Sequence, residues 1–405
     1  MPDAHGCALV DIGVADDGTI AFAGAAISDQ PPAWPRLDLA GRQVWPGLVE
    51  SHAHIDKTGT VDRSPNPDGT LNGARQAAKR DRDRGWTRDE LWGRMDEALQ
   101  SAFRNGTVAL RTHIDSQSDR VEPAWTLWPQ LVRAWSGRIE LQATATLGAA
   151  KLLGPYGDEV ADLAARNRAC LGPAIYPSPT LDEELARAFD LASARDLDLD
   201  FHVDETDDPE ARGLRRIAEM ALERGFQGRI ACGHACSLAL HADEDAARTI
   251  ALVRQAGIVV IALPSANLYL QGRSPGRTPT WRGVTRIREL RAAGAQVAIG
   301  GDNCRDAFYP FGEHDLVDVL RDAVRIAHLD HPFADWVDAV SAVPARLMGL
   351  PGRGRIAAGA PADFIVFAQT TATGVLATLG KGRVVVRAGR TVDPSAGIPT
   401  AQPPL

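Results

Sequence analysis

Short hydrophobic runs recur along the chain between longer stretches whose apolar positions return every three or four residues, and the two spacings predict strands alternating with helices. From Trp86 onward the strand-like runs are Val108–Thr112, Ile139–Ala145, Ala174–Tyr176, Leu197–Val203, Arg229–Cys232, Ile258–Leu263 and Gln296–Ile299. Helical stretches such as Arg88–Asn105, Leu181–Arg195, Glu210–Gly225 and Asp243–Gly257 lie between them. Leu48–Val49 brings the runs to eight. Parallel strands need crossover helices, so this alternation predicts an α/β fold built as a (β/α)8 TIM-type barrel.

The two ends of the chain read differently. Leu9–Val14 and Thr19–Gly24 flank Asp16-Asp17-Gly18, a hairpin signal, and Leu37–Val44 reads as a third strand. After a helical segment at Trp336–Met348 and the turn-forming Pro351-Gly352-Arg353-Gly354, strands return at Ala362–Phe367 and Lys381–Val386. Chain termini of a compact fold often lie close together. Residues 1–47 and 354–405 are therefore expected to form one small discontinuous β-sandwich domain beside a barrel of residues 48–353. The Pro- and Ala-rich tail after Asp393 is expected to lack fixed structure.

Composition narrows the partners. With 44% hydrophobic and 24% charged residues, the chain can bury a large core. Lys and Arg total 44 against 52 Asp and Glu, a formal charge of −8, which leaves no electrostatic footprint for nucleic acid or an anionic membrane. No run approaches the roughly 18 apolar residues that span a bilayer, so a small-molecule partner is expected. The five cysteines are odd in number and scattered, unlike a disulfide framework, and Cys232 and Cys236 lack a second pair at zinc-finger spacing. The first residues show no basic region followed by an apolar run, and a cytoplasmic location is expected. A homo-oligomer is compatible with all of this.

Candidate chemistry gathers where strands end. His52 and His54 follow the first barrel strand, and alternate side chains of an extended segment share a face, so both can reach one ion. His202 ends the fifth strand, His234 follows the sixth, and Asp302 closes the eighth. Barrel enzymes build their sites at this C-terminal face. His52 and Asp302 stand roughly 250 residues apart, about the length of one barrel.

The motifs resemble the amidohydrolase superfamily, and in particular its cytosine deaminase branch together with the triazine-ring aminohydrolases. The matching segments are His52-Ala53-His54, Arg111-Thr112-His113-Ile114-Asp115, His202-Val203-Asp204-Glu205-Thr206-Asp207-Asp208, Gly233-His234, Leu270-Gln271-Gly272-Arg273, Arg282-Gly283-Val284-Thr285-Arg286, Gly301-Asp302-Asn303 and Phe308-Tyr309-Pro310-Phe311-Gly312. The resemblance implies one divalent metal ion, zinc or iron, held by His52, His54, His202 and Asp302. It also implies Glu205 as proton shuttle and His234 as the contact to the attacking water and the substrate. Binuclear relatives carry a bridging lysine at the end of the fourth strand, and Gly172-Pro173-Ala174-Ile175-Tyr176-Pro177 has none. His113 is then left to support the ligands from behind or to pack.

Elementary chemistry agrees. Three neutral imidazoles and one carboxylate leave a cation electrophilic enough to make hydroxide available near neutral pH. Glu205, three residues past His202, can protonate a ring nitrogen and then a departing amine. Asp302 can act as a base toward water, and His234 can stabilise charge on the tetrahedral carbon's oxygen. The chain departs from the cytosine-directed pattern after strand three. A substrate-gripping glutamine gives way there to Ala145-Thr146-Leu147-Gly148-Ala149-Ala150-Lys151, and Gln142 lies within the strand. Phe308 replaces a tryptophan and Asn303 a second carboxylate. Lys151, Asn303, Asp306 and Phe308 are the expected substrate contacts. The expected activity is hydrolytic deamination of a cyclic amidine or aminated nitrogen heterocycle, cytosine or an analogue. The alternatives are cyclic-amide opening or alkylamine removal from a triazine at the same site, and a catalytically silent scaffold.

Overall fold

The computed structural model describes residues 6–25, 34–117 and 123–393; His5 and the tail after Asp393 lie outside them. The chain opens with an antiparallel hairpin, β1 (Asp11–Val14) and β2 (Ile20–Gly24), followed by β3 (Val44–Pro46). Eight parallel strands come next: β4 (Leu48–Ala53), β5 (Thr107–Asp115), β6 (Glu140–Gly148), β7 (Cys170–Ile175), β8 (Leu199–Val203), β9 (Ile230–His234), β10 (Val259–Ala262) and β11 (Gln296–Ile299). Each pairs with its neighbours in sequence order. Beyond β11, a bridge between Ala53 and Asp302 brings the two outer strands together, and the sheet becomes a barrel. Among the described residues, no helix is long and apolar enough to cross a membrane.

The helices cover the strands for a simple reason of spacing. In Arg88–Arg104, Leu91, Met95, Leu99 and Phe103 fall every four residues and form one buried stripe. Thr87 and Glu90 cap its start reciprocally, each side chain accepting from the other's backbone. The strands beneath are buried on both faces, as covered parallel sheets require.

Several predicted boundaries move, and two of the shifts have a plain physical reason. β7 begins four residues before the expected Ala174, because Gly172 and Pro173 argue against a strand and yet pair here with Thr146 and Leu147. The strand expected over Leu37–Val44 shrinks to Val44–Pro46. Ala40 and Gly41 turn with positive φ, the Asp38 carboxylate accepts from the Ala40 N–H, and Leu37 is exposed, so the chain turns here and does not run on as a strand.

Both chain ends meet as the sequence implied. β12 (Phe364–Val366), β13 (Val384–Arg387) and β14 (Arg390–Thr391) form a sheet whose outer strand is β3, in the order β14-β13-β12-β3. Thr19 bridges Pro361 and ties the hairpin to the same segment. The helix Ala372–Thr378, not foreseen from the pattern, links β12 to β13. Phe367 is fully buried, lies edge-on to Trp45 at 4.9 Å and has the Arg383 guanidinium over its ring. Phe367→Ala should cost about 3–5 kcal/mol of stability in denaturant unfolding; a loss below about 1 kcal/mol would show that the two termini are not locked together through this ring.

Candidate functional site

The barrel opens at the C-terminal ends of its strands, and there the imidazoles converge. His52 lies within β4 and His54 one residue past it; His113 comes from β5, His202 from β8 and His234 from the end of β9, while Asp302 follows β11. Neighbouring rings are tilted or edge-on to one another, with centroids as close as 3.9 Å for His52 and His113. His234 and Asp302 both adopt positive φ, at 70° and 63°. For residues with a Cβ such backbones cost on the order of 1–3 kcal/mol and gather at functional sites.

The donor atoms are close. His54 Nε2 lies 3.3 Å from His202 Nε2 and 3.3 Å from Asp302 Oδ1, and His52 Nε2 lies 3.6 Å from the same oxygen. The ligand atoms of His52, His234 and Asp302 fall within 4.8 Å of one another, as do those of His52, His113 and His202. A tetrahedral cation with bonds of about 2.1 Å needs donors about 3.4 Å apart. His52 Nε2 and Asp302 Oδ1 are buried without a hydrogen-bond partner, and one cation would satisfy both. Burial holds His52, His54, His113 and His202 well below the ordinary imidazole value, so they are neutral and carry free lone pairs. The residues present therefore fit a divalent metal.

Glu205 stands at the rim. Its side chain is 9% exposed, its Oε1 lies 3.6 Å from His234 Nδ1, and its Oε2 lies 3.8 Å from the Arg75 guanidinium. Burial raises its carboxyl above the usual range, against the pull of His234 and Arg75. The expected substrate contacts divide. Phe308 is partly buried with the Lys57 ammonium 5.5 Å over its ring, and that ammonium also lies 3.3 Å from His54 Nδ1. Asn303 donates to Asp306 at 2.6 Å, and Asp306 accepts the N–H groups of Phe308 and Tyr309, so both polar groups shape the loop after Asp302. Burial lifts the Asp306 carboxyl to about 7. Lys151 is exposed and donates to the Gln117 carbonyl, apart from the imidazoles.

Several contacts were not read from the sequence. Asn267, on the short helix Pro264–Leu270, reaches His234 Nδ1 at 2.9 Å; its signal was a polar residue just beyond the seventh barrel strand. Arg75 lies 4.4 Å over the Tyr176 ring beside Glu205. Beneath the cluster, Arg111 pairs with Asp200 at 2.9 Å, and His113 Nε2 sits 3.7 Å from the same carboxylate. His113 Nδ1 lies 3.1 Å from Thr146 Oγ1, so this ring joins the cluster to the polar layer below.

A profile described as the Amidohydrolase family matches residues 130–393. The chain belongs to the amidohydrolase family. It is 39% identical over 397 residues to a pterin deaminase of Rhizobium rhizogenes, covering 97% of this chain and 90% of that protein. The structure of 5-methylcytosine deaminase from Klebsiella pneumoniae liganded with phosphonocytosine superposes with a TM-score of 0.81 at 25% identity, covering 95% of both chains. N-isopropylammelide isopropylaminohydrolase from Burkholderia multivorans gives a TM-score of 0.77 at 24% identity over 95% of this chain and 94% of that one. This amidohydrolase is thus a hydrolase of carbon–nitrogen bonds, and the resemblance carried by its motifs holds. His202→Ala should weaken divalent-metal binding by more than about 10-fold; unchanged occupancy by elemental analysis after dialysis would remove His202 from the donor set.

Proposed function

We propose that this amidohydrolase removes the exocyclic amino group of an aminated nitrogen heterocycle by hydrolysis, with a pterin as its preferred substrate. The observation that carries the reading is the pairing of Glu205 with His234 at the edge of the imidazole cluster, which sets a proton-carrying acid beside the metal-competent donors. The 39% identity to a pterin deaminase over nearly the whole chain supports the pterin. So does the segment Ala145–Lys151, where the glutamine of the cytosine-directed pattern is missing. Gln142 does not replace it, since its amide donates to the Met348 carbonyl and accepts from Arg111. A site that lacks the amide to grip cytosine discriminates against it.

In this reading one divalent cation, zinc or iron, is held by His52, His54, His202 and Asp302. The absence of a lysine from Gly172–Pro177 supports one ion over a bridged pair. Bound there, the ion supplies Lewis acidity, which makes hydroxide available near neutral pH. Asp302 accepts a proton from the attacking water, whose oxygen bonds to the amino-bearing ring carbon. Glu205, kept protonated by burial to higher pH than a surface carboxyl, gives its proton to the adjacent ring nitrogen as the carbon–oxygen bond forms. The resulting Glu205 carboxylate takes the proton of the new hydroxyl group and passes it to the amino group. The carbon–nitrogen bond then breaks, its electron pair leaves with ammonia, and a carbonyl remains. Return of the Asp302 proton to Glu205 resets both acids. His234 stabilises the charge that develops on the oxygen. Cys170, Cys232, Cys236 and Cys304 are buried thiols, which supports a reducing cytoplasm as the compartment.

Ammonia release should be measured over a panel of pterin, cytosine and cyclic amides. Pterin should be the best substrate. Glu205→Gln should retain its metal and lose about 100-fold or more of its turnover. Near-normal rates in that variant would refute the shuttle, and ring opening of cyclic amides without ammonia would replace the deaminase reading.

A further inference from the structure

The barrel closes at a seam that its backbone barely joins. β11 ends at Ile299, and the pairing between the first and last strands is confined to Asp302, whose N–H donates to the His52 carbonyl at 2.8 Å and whose carbonyl accepts from the His54 N–H at 3.3 Å. One residue earlier, the Gly301 N–H finds no backbone acceptor. The Glu50 carboxylate takes it. Glu50 Oε2 accepts from Gly301 at 2.9 Å and Oε1 accepts from the His52 N–H at 2.9 Å, so one side chain spans the seam. Glu50 is 6% exposed.

The sequence on the far side is shaped around this carboxylate. A Cβ at Gly300 would stand 2.9 Å from Glu50 Oε1, and one at Gly301 would stand 3.0 Å from Oε2. Neither glycine has a positive φ, so what they provide here is space. The two N–H groups that Glu50 joins belong to His52 itself and to the residue before Asp302. Those are the donors on opposite sides of the seam, with His52 Nε2 and Asp302 Oδ1 3.6 Å apart.

We infer that Glu50 is a positioning residue whose carboxylate clamps the barrel seam and thereby fixes the separation of His52 from Asp302 across the cation site. The inference rests on the reading of those two residues as cation ligands. Both Glu50 oxygens are engaged by backbone donors, so it acts through the strands and not on the substrate. An amide cannot do the same work. In Glu50→Gln one of the two N–H groups would face an NH2 group and lose its acceptor, and a buried donor left unpaired favours movement of the strand that carries it. Gly301→Ala keeps the carboxylate but pushes on it with a methyl group.

The test uses the full chain, stripped of metal and titrated with zinc against a chelator, then loaded with cobalt for its visible spectrum. Glu50→Gln should weaken zinc binding by about 10–100-fold, as removal of groups that orient metal ligands does. It should also shift the cobalt bands and lower kcat while leaving KM near its original value. Gly301→Ala should move the same readouts in the same direction by less. Variants that bind zinc as the unaltered chain does, with an unchanged cobalt spectrum, would overturn the inference even if they were less stable. If Glu50→Gln does not fold, Gly301→Ala decides alone on the same two outcomes. An unaltered chain that takes up neither metal would overturn the cation reading and this inference with it, a result distinct from failure of the clamp.

Discussion

Lone pairs buried without partners are what the rest of this molecule is arranged around. Neutral imidazoles gain little from facing one another in a dry cavity, and each unpaired buried nitrogen costs on the order of 1–3 kcal/mol. Yet His52, His54, His113, His202 and His234 are brought together from four different strands, with a carboxylate that also lacks a partner for one oxygen. Such a set is stable only if the frame forces it together and a cation repays the frame. The forcing is visible in the left-handed backbones at His234 and Asp302 and in the side-chain carboxylate needed to close the seam beside them.

Below the cluster the barrel is not filled with hydrocarbon alone. Arg111 and Asp200 form an ion pair with side chains 1% and 0% exposed, and Gln142, Thr144 and His113 gather around it. Replacing a buried pair with apolar side chains is often neutral for stability, so such a pair is weak evidence of stabilisation. Its location gives it a different use. Asp200 lies two residues before His202 on β8, and Arg111 lies two before His113 on β5, so one ion pair crosslinks two of the strands that deliver imidazoles. The polar floor and the seam brace the same ring of donors from different sides.

Much of this was legible because strand ends follow from periodicity. His202, His234 and Asp302 each close an apolar run, and His52-Ala53-His54 follows one, so the converging groups are legible in the sequence. Glu205 could be read too, as a carboxylate three residues past His202 where the strand gives way to a loop. What stayed hidden was hidden for physical reasons. β7 carries a proline, and β4 carries Glu50, Ser51 and His52 at buried positions, so neither has the composition of a core strand. Leu37–Val44 alternates apolar and polar residues as a strand does, but turns at Ala40 and Gly41, and within it only Val44 pairs as a strand. Asn267, Arg75 and Asp200 act across elements distant in sequence, and no local spacing marks such contacts.

The central claim is that donors from separate strands share one cation. Anomalous X-ray scattering from crystals of the zinc-loaded protein, recorded on both sides of the zinc absorption edge, tests it most directly. One peak bounded by His52 Nε2, His54 Nε2, His202 Nε2 and Asp302 Oδ1 is expected. A peak outside this group, or none with zinc in excess, would contradict it.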